Sequence, residues 1–246
     1  MREDAVQRNR ANGNAPAGRT VIVGDVHGCR DELEILLDRV NFHTGDRLVF
    51  AGDLVARGPD SRGVLQVARR TGAIVVRGNH DAKLLTYRDA AREKRRPAMA
   101  ASKSHLALAA SLTDSEWSVL ETSSLYADLP EHEVRVVHAG VLPGVPIEKQ
   151  DPKVLLHVRT LPEGTLWGER YAGPPHIVFG HNAVERLQFH AWATGLDTGC
   201  VYGGKLSALV LAHGQRVPQE RTKRMALLVS VPAARVYYDP ITKNPT

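Results

Sequence analysis

Five short apolar runs, each closing on glycine with Asp, Asn or His within two residues of it, set the strongest limit on how this chain can fold. Thr20–Gly24 (TVIVG) runs into Asp25-Val26-His27, and Arg47–Gly52 (RLVFAG) into Asp53. Ala73–Gly78 (AIVVRG) precedes Asn79-His80, Val134–Gly140 carries His138, and His176–His181 ends in Gly180-His181. Runs this short, rich in β-branched residues and bounded by glycine, read as strands buried on both faces. Leu206–His213 and Ala226–Tyr238 are two further runs of this type. Between the first two strands, Leu33, Leu36, Leu37 and Val40 recur at i, i+3, i+4, i+7 and make one apolar helix stripe over Asp31–Val40. Ser61–Arg70 repeats the pattern with Val64, Leu65 and Ala68. The order βαβαβ predicts an α/β fold with a parallel sheet and covering helices.

Residues 82–125 break that rhythm. They lack strand signals, and Thr113-Asp-Ser-Glu116 spells a capping box with Leu112 and Trp117 placed as a hydrophobic staple. This stretch reads as a helical insert within one domain spanning 19–246. Between Arg88 and Lys103, six basic residues face two acids, which predicts a basic rim for a phosphate-rich substrate. Residues 1–18 have no apolar h-region and read as a disordered leader. A chain with 43% hydrophobic and 24% charged residues buries an ordinary globular core, which excludes a fibre or a disulfide miniprotein. No run of 18 apolar residues is present, so no membrane partner is expected. Two cysteines, Cys29 and Cys200, suit reduced thiols and a cytoplasmic location.

The polar residues at the strand ends define a chemistry. Ligands of open α/β sheets bind beyond the carboxyl ends of the strands. Two carboxylates, an amide oxygen and three imidazoles are oxygen and nitrogen ligands that suit Mn²⁺, Fe or Zn²⁺. Six ligands exceed what one ion with an open position needs. They suit two ions about 3.5–4 Å apart sharing a carboxylate, an arrangement used to displace phosphoesters.

The series GDVHGC, GDLVARGP, RGNHD, HAG and GH resembles the calcineurin-like metallophosphoesterases, in their phosphoprotein-phosphatase branch. GDLVARGP together with LDTGCVYGG resembles the ApaH-like symmetrical diadenosine tetraphosphate hydrolases. The likeness covers about residues 20 to 215. It implies a four-layer α/β/β/α sandwich of two mixed sheets, with the insert near the cleft. It further implies that Asp25 and His27 hold one divalent ion and that Asp53 bridges two. Asn79, His138 and His181 would hold the second. Mn²⁺ is the preferred ion, with Co²⁺, Fe or Zn²⁺ as alternatives. His80 would be the general acid, and Arg57 would clamp phosphate oxygens beside Asn79. Arg170 would be a second phosphate-binding arginine, with Arg159 as the other choice.

One position departs from the protein-phosphatase spelling. Those enzymes usually carry an Asp where this chain has Ala56, and that Asp orients the acid histidine. Its loss should lower imidazole basicity and loosen its aim. A leaving nucleotide phosphate, whose second pKa is about 6, needs less protonation than an alkoxide. Ala56 therefore favours anhydride cleavage. The resulting expectation is symmetrical hydrolysis of diadenosine tetraphosphate to two ADP. The alternatives are a Ser/Thr or Tyr protein phosphatase acting on phosphoprotein, and hydrolysis of an RNA cap or 5′ end. His43, His105, His132, His157, His176, His190 and His213 read as surface or packing residues, and Asp197 as either a turn carboxylate or support for a metal-site histidine. Trp167, Trp192 and Tyr202 read as core by default.

Overall fold

A computed structural model describes residues 18–94, 103–239, 241–242 and 244–245. The expected leader, apart from Gly18, and part of the basic stretch (Arg95 and Arg96) lie outside the described residues.

Two mixed sheets carry the fold. β1 (Thr20–Val23), β2 (Arg47–Phe50) and β3 (Ile74–Val75) pair in parallel, as the βαβαβ order predicts. α1 (Arg30–Arg39) and α2 (Ser61–Thr71) are the crossovers. Helices α3 (Asn79–Arg92), α4 (Lys103–Ser111) and α5 (Asp114–Glu121) follow. The capping box at α5 forms: Glu116 Oε2 accepts the Thr113 N–H at 2.8 Å, and Thr113 Oγ1 accepts the Glu116 N–H at 3.4 Å.

The second sheet begins with β4 (Tyr126–Leu129), antiparallel to β5 (Val134–Val137). α6 (Pro152–His157) and α7 (Trp167–Arg170) precede β6 (His176–Phe179), which runs parallel to β5. β7 (Gln188–Phe189) and β8 (Ala193–Gly195) complete the order β4-β5-β6-β8-β7. The chain then returns to the first sheet through β9 (Asp197–Thr198), β10 (Lys205–Leu211) and, after α8 (Arg221–Met225), β11 (Leu228–Pro232). β10 lies antiparallel against β1, so the first sheet reads β11-β10-β1-β2-β3. The run Ala226–Tyr238 is thus one strand and a following segment rather than one long strand. β11 ends at Pro232, which has no N–H for a further ladder bond.

Alternation along each strand builds the layers. Val21 and Val23 of β1 join Leu33, Leu36 and Leu37 of α1 and Val64, Leu65 and Ala68 of α2 in one core. Ile22, between them, joins Val49, Leu129, Val134, Val136 and Val178 in the core between the sheets. Val137, Ile177 and Phe179 pack outward on Leu155 and Trp167 of α6 and α7. Both faces of each sheet are covered, which is why the strands read as unbroken apolar runs. Each buried Leu of α1 contributes about 2 kcal/mol by leaving water.

Candidate metal centre

The expected ligands converge across the two sheets. Asp25, Asp53 and Asn79 follow β1, β2 and β3, and His138 and His181 follow β5 and β6. The His181 N–H donates to Asp25 Oδ1 at 3.0 Å. The His80 N–H donates to Asp53 Oδ1 at 2.8 Å. Two glycines let the strand ends approach. A Cβ at Gly78 would lie 2.1 Å from Asp53 Oδ1, and one at Gly180 would lie 1.9 Å from Asp25 Oδ1. The turns are also strained. Left-handed φ values occur at His27 (47°), Asp53 (49°), Ala56 (72°), Arg57 (70°) and His181 (64°). Such conformations cost a non-glycine residue about 1 kcal/mol or more, and they cluster at functional sites.

Asp81, to which the sequence reading assigned no role, holds this backbone together. It sits in the first turn of α3, where Oδ2 accepts the Gly78 N–H at 3.0 Å. Oδ1 accepts the Leu54 and Val55 N–H groups at 3.1 and 3.3 Å, so α3 is pinned to the loop after β2. Burial, and then the Asp53 charge, push the Asp81 carboxyl up to about 7.

Hydrogen bonding fixes which imidazole nitrogens face the cluster. A carbonyl only accepts, so His138 Nδ1 donates to the Ala51 oxygen at 3.0 Å and His27 Nδ1 donates to the Val55 oxygen at 3.1 Å. Both Nε2 atoms are left with lone pairs. His138 Nε2 faces Asn79 Oδ1 at 3.0 Å and Asp53 Oδ2 at 3.7 Å. His27 Nε2 faces Asp53 Oδ2 at 3.4 Å and Asp25 Oδ2 at 4.0 Å. His181 Nε2 is buried without a hydrogen-bond partner. The lone pairs of His138 Nε2, Asn79 Oδ1 and Asp53 Oδ2, directed at one another, are repulsive unless a cation lies among them.

Two sets of ligand atoms, each within 4.8 Å of one another, share Asp53: His27–Asp53–His80 and Asp53–His138–His181. Burial drives His27 to about 3 and His138 to about 4, so both stay neutral and able to ligate. Burial, and then neighbouring carboxylates, push Asp25 well above the usual carboxylate range, and Asp53 rises to about 7 chiefly through burial. A donor set short of positive charge, with neutral imidazoles, fits divalent cations.

Around this centre, Arg57 donates to His27 Nε2 at 3.0 Å and stacks over Tyr202 and Tyr238, 5.5 and 5.7 Å from their ring centroids. His80 lies 5.0 Å from His27, ring to ring. Its Nδ1 is buried without a hydrogen-bond partner. Burial, followed by the charges of His27 and Arg57, holds the His80 imidazole far below its usual range.

Arg170 does not join the site. It is exposed at the end of α7, whose Trp167 is anchored by Nε1 donating to the Ala139 oxygen at 3.0 Å. Arg159, also exposed, donates to the His181 oxygen at 3.2 Å, and its charge lowers the pKa of Asp53, His138 and His181. Trp167 packs against Phe179 in the core. His190 stacks on Phe179 and does not enter the cluster. Asp197 accepts the Gly199 N–H at 3.0 Å within its own turn, and burial raises its carboxyl above the usual range.

Strand-end ligands meeting between two mixed sheets define a metallophosphoesterase hydrolase. The chain belongs to the calcineurin-like phosphoesterase family, whose pattern matches residues 18–216. It is 30% identical over 245 residues to the Bacillus subtilis (strain 168) bis(5′-nucleosyl)-tetraphosphatase PrpE [asymmetrical], covering 88% of this chain and 95% of that one. The Halalkalibacterium halodurans protein of the same name is 31% identical over 219 residues, covering 76% and 88%. A crystal structure of a candidate diadenosine tetraphosphatase superposes with TM-score 0.74 at 37% identity, covering 88% of this chain and 94% of that one. A protein serine/threonine phosphatase from Saccharomyces cerevisiae shares the fold at TM-score 0.56 and 17% identity, with 93% and 84% covered. Among the described residues no helix is long and apolar enough to cross a membrane.

Proposed function

We propose that this chain is a divalent-metal-dependent hydrolase of dinucleoside tetraphosphates that cuts asymmetrically, to a nucleoside triphosphate and a nucleoside monophosphate. The observation that carries the reading is the shared position of Asp53 between two sets of ligand atoms. The substrate and the mode of cleavage rest on the relatives, whose names specify asymmetrical cleavage. The symmetrical outcome suggested by the motif spellings finds no support among them.

Asp25 and His27 would hold one ion, Asn79, His138 and His181 the other, and Asp53 both. Bound divalent ions supply an activated water and neutralise phosphate charge; Mn²⁺ is the first choice to supply. Arg57 and Arg159 flank the cluster and would bind phosphate oxygens, which stabilises charge that develops in the transition state. His80, kept neutral, would donate a hydrogen bond to the leaving oxygen. Its Nδ1 has no partner, so no carboxylate raises its basicity. That suits a leaving nucleotide phosphate better than an alkoxide.

Diadenosine tetraphosphate with Mn²⁺-supplied protein, followed by anion-exchange separation, tests the reading. ATP and AMP in equal amounts support it. Two ADP would restore symmetrical cleavage, and an inert dinucleotide beside a turned-over phosphopeptide would move the chain to the protein phosphatases.

A further inference from the structure

The chain's two cysteines meet in the core, apart from the groups that bind at Asp53. Cys29 is the N-cap residue of α1, and Cys200 opens the short turn Cys200–Tyr202. They are 0% and 2% exposed, and Glu32, in the first turn of α1, is 1% exposed. One ligand atom from each of Cys29, Glu32 and Cys200 lies within 4.8 Å of the other two. Glu32 Oε1 accepts the Ala234 N–H at 2.9 Å and the Tyr237 hydroxyl at 2.7 Å. Its Oε2 is buried and has no hydrogen-bond partner.

A buried carboxylate oxygen without a donor is costly, and Gln at this position would bring its own N–H. Two sulfurs and a carboxylate oxygen form a softer ligand set than the cluster around Asp53. Thiolates select Zn²⁺ over Mn²⁺ or Mg²⁺. Zn–S bonds of about 2.3 Å place tetrahedral sulfurs roughly 3.7 Å apart, so the three ligand atoms need only a modest contraction.

We propose that Cys29, Glu32 and Cys200 form a further cation site, for a thiophilic ion of the Zn²⁺ class. Binding breaks both S–H bonds. The two protons go to solvent, the sulfur lone pairs and Glu32 Oε2 bind the ion, and nothing is oxidised. The ion would tie α1 to the loop after Asp197. Cys29 follows His27 by two residues, and Cys200 lies two residues before Tyr202, which stacks on Arg57.

The test uses the full chain, reduced and kept anaerobic, stripped with a chelator and titrated with Cd²⁺. The expected result is one more bound Cd²⁺ than the Asp53 cluster takes, with an ultraviolet sulfur-to-cadmium charge-transfer band that saturates at one equivalent. Asp53→Asn should keep the band. Cys29→Ser and Cys200→Ser should each lose it, with circular dichroism showing that the fold persists. If those variants do not fold, the wild-type band decides. A folded wild-type chain that binds Cd²⁺ without that band overturns the proposal. So does a Cys29–Cys200 disulfide in a non-reducing peptide map of the protein as isolated.

Discussion

The imidazole of His80 stacks on that of His105, with ring centroids 5.6 Å apart and planes 21° from parallel. His80 belongs to the first turn of α3 and His105 to α4, and Tyr87 meets His105 edge-on at 6.0 Å. Ala56 offers His80 no carboxylate, so ring packing from the helical segment is what aims it.

His105→Ala should therefore lower kcat on diadenosine tetraphosphate about tenfold, which equals about 1.4 kcal/mol of transition-state stabilisation. KM should change little. His105→Phe keeps a ring against His80 and should retain most of the rate. Steady-state kinetics of the two variants checks the difference; equal losses would count against ring packing.

Asp53→Asn removes the carboxylate shared by both ligand sets. Activity should fall by more than about 100-fold, and bound metal, measured by elemental analysis after dialysis, should fall with it. A chelator should also lower the melting temperature of the wild-type protein, because ions that bind only the folded state stabilise it by mass action.

Both arginines are exposed, and contact separates them: Arg159 donates to the His181 oxygen, whereas Arg170 lies at the end of α7. Arg159→Ala should raise KM for the tetraphosphate roughly tenfold, the loss of one charge-assisted contact. Arg170→Ala should leave both kinetic constants unchanged.

His176 gives a pH dependence whose sign follows from its burial. It lies in β6, with Nε2 2.9 Å from Thr194 Oγ1, and burial followed by the Arg224 charge lowers it to about 3. Its unfolded value is near 6.5, so below that pH the unfolded chain binds a proton that the folded chain refuses. Stability is full above about 6.5 and falls with acid by about 1.4 kcal/mol per pH unit for this group, towards pH 3. In urea titrations between pH 7 and 4, His176→Gln should show a shallower loss than wild type; parallel curves would contradict this assignment.

Arg224 is 1% exposed, and its guanidinium donates to the carbonyls of Pro218, His190, Ala193, Ala191 and Gln219 and to Thr194 Oγ1. Arg224→Met should destabilise the fold by about 3 kcal/mol, since several buried acceptors lose their donor at once. Chemical denaturation measures this directly.

Local patterning made the strand-end motifs and the helices α1, α2 and α5 legible, because periodicity, caps and glycine turns act within a few residues. Asp25, His27, Asp53, Asn79, His138 and His181 could be named because each follows a run that reads as a strand. Arg159 could not be chosen over Arg170 in this way. Both lie between His138 and His181, and the contact of Arg159 with the His181 oxygen exists only in the folded chain. The return of β10 to pair with β1 had no local signal, and neither did the Glu32 contact with Ala234, 202 residues away.

Sequence alone determined which atoms could bind metal, and that they would sit at the ends of buried strands, since apolar alternation and glycine act along the chain. Tertiary structure decided which lone pairs face one another, which arginine contacts the His181 backbone, and that the His105 ring packs on His80. Those outcomes depend on contacts between residues far apart in sequence, and such contacts exist only once the two sheets have packed.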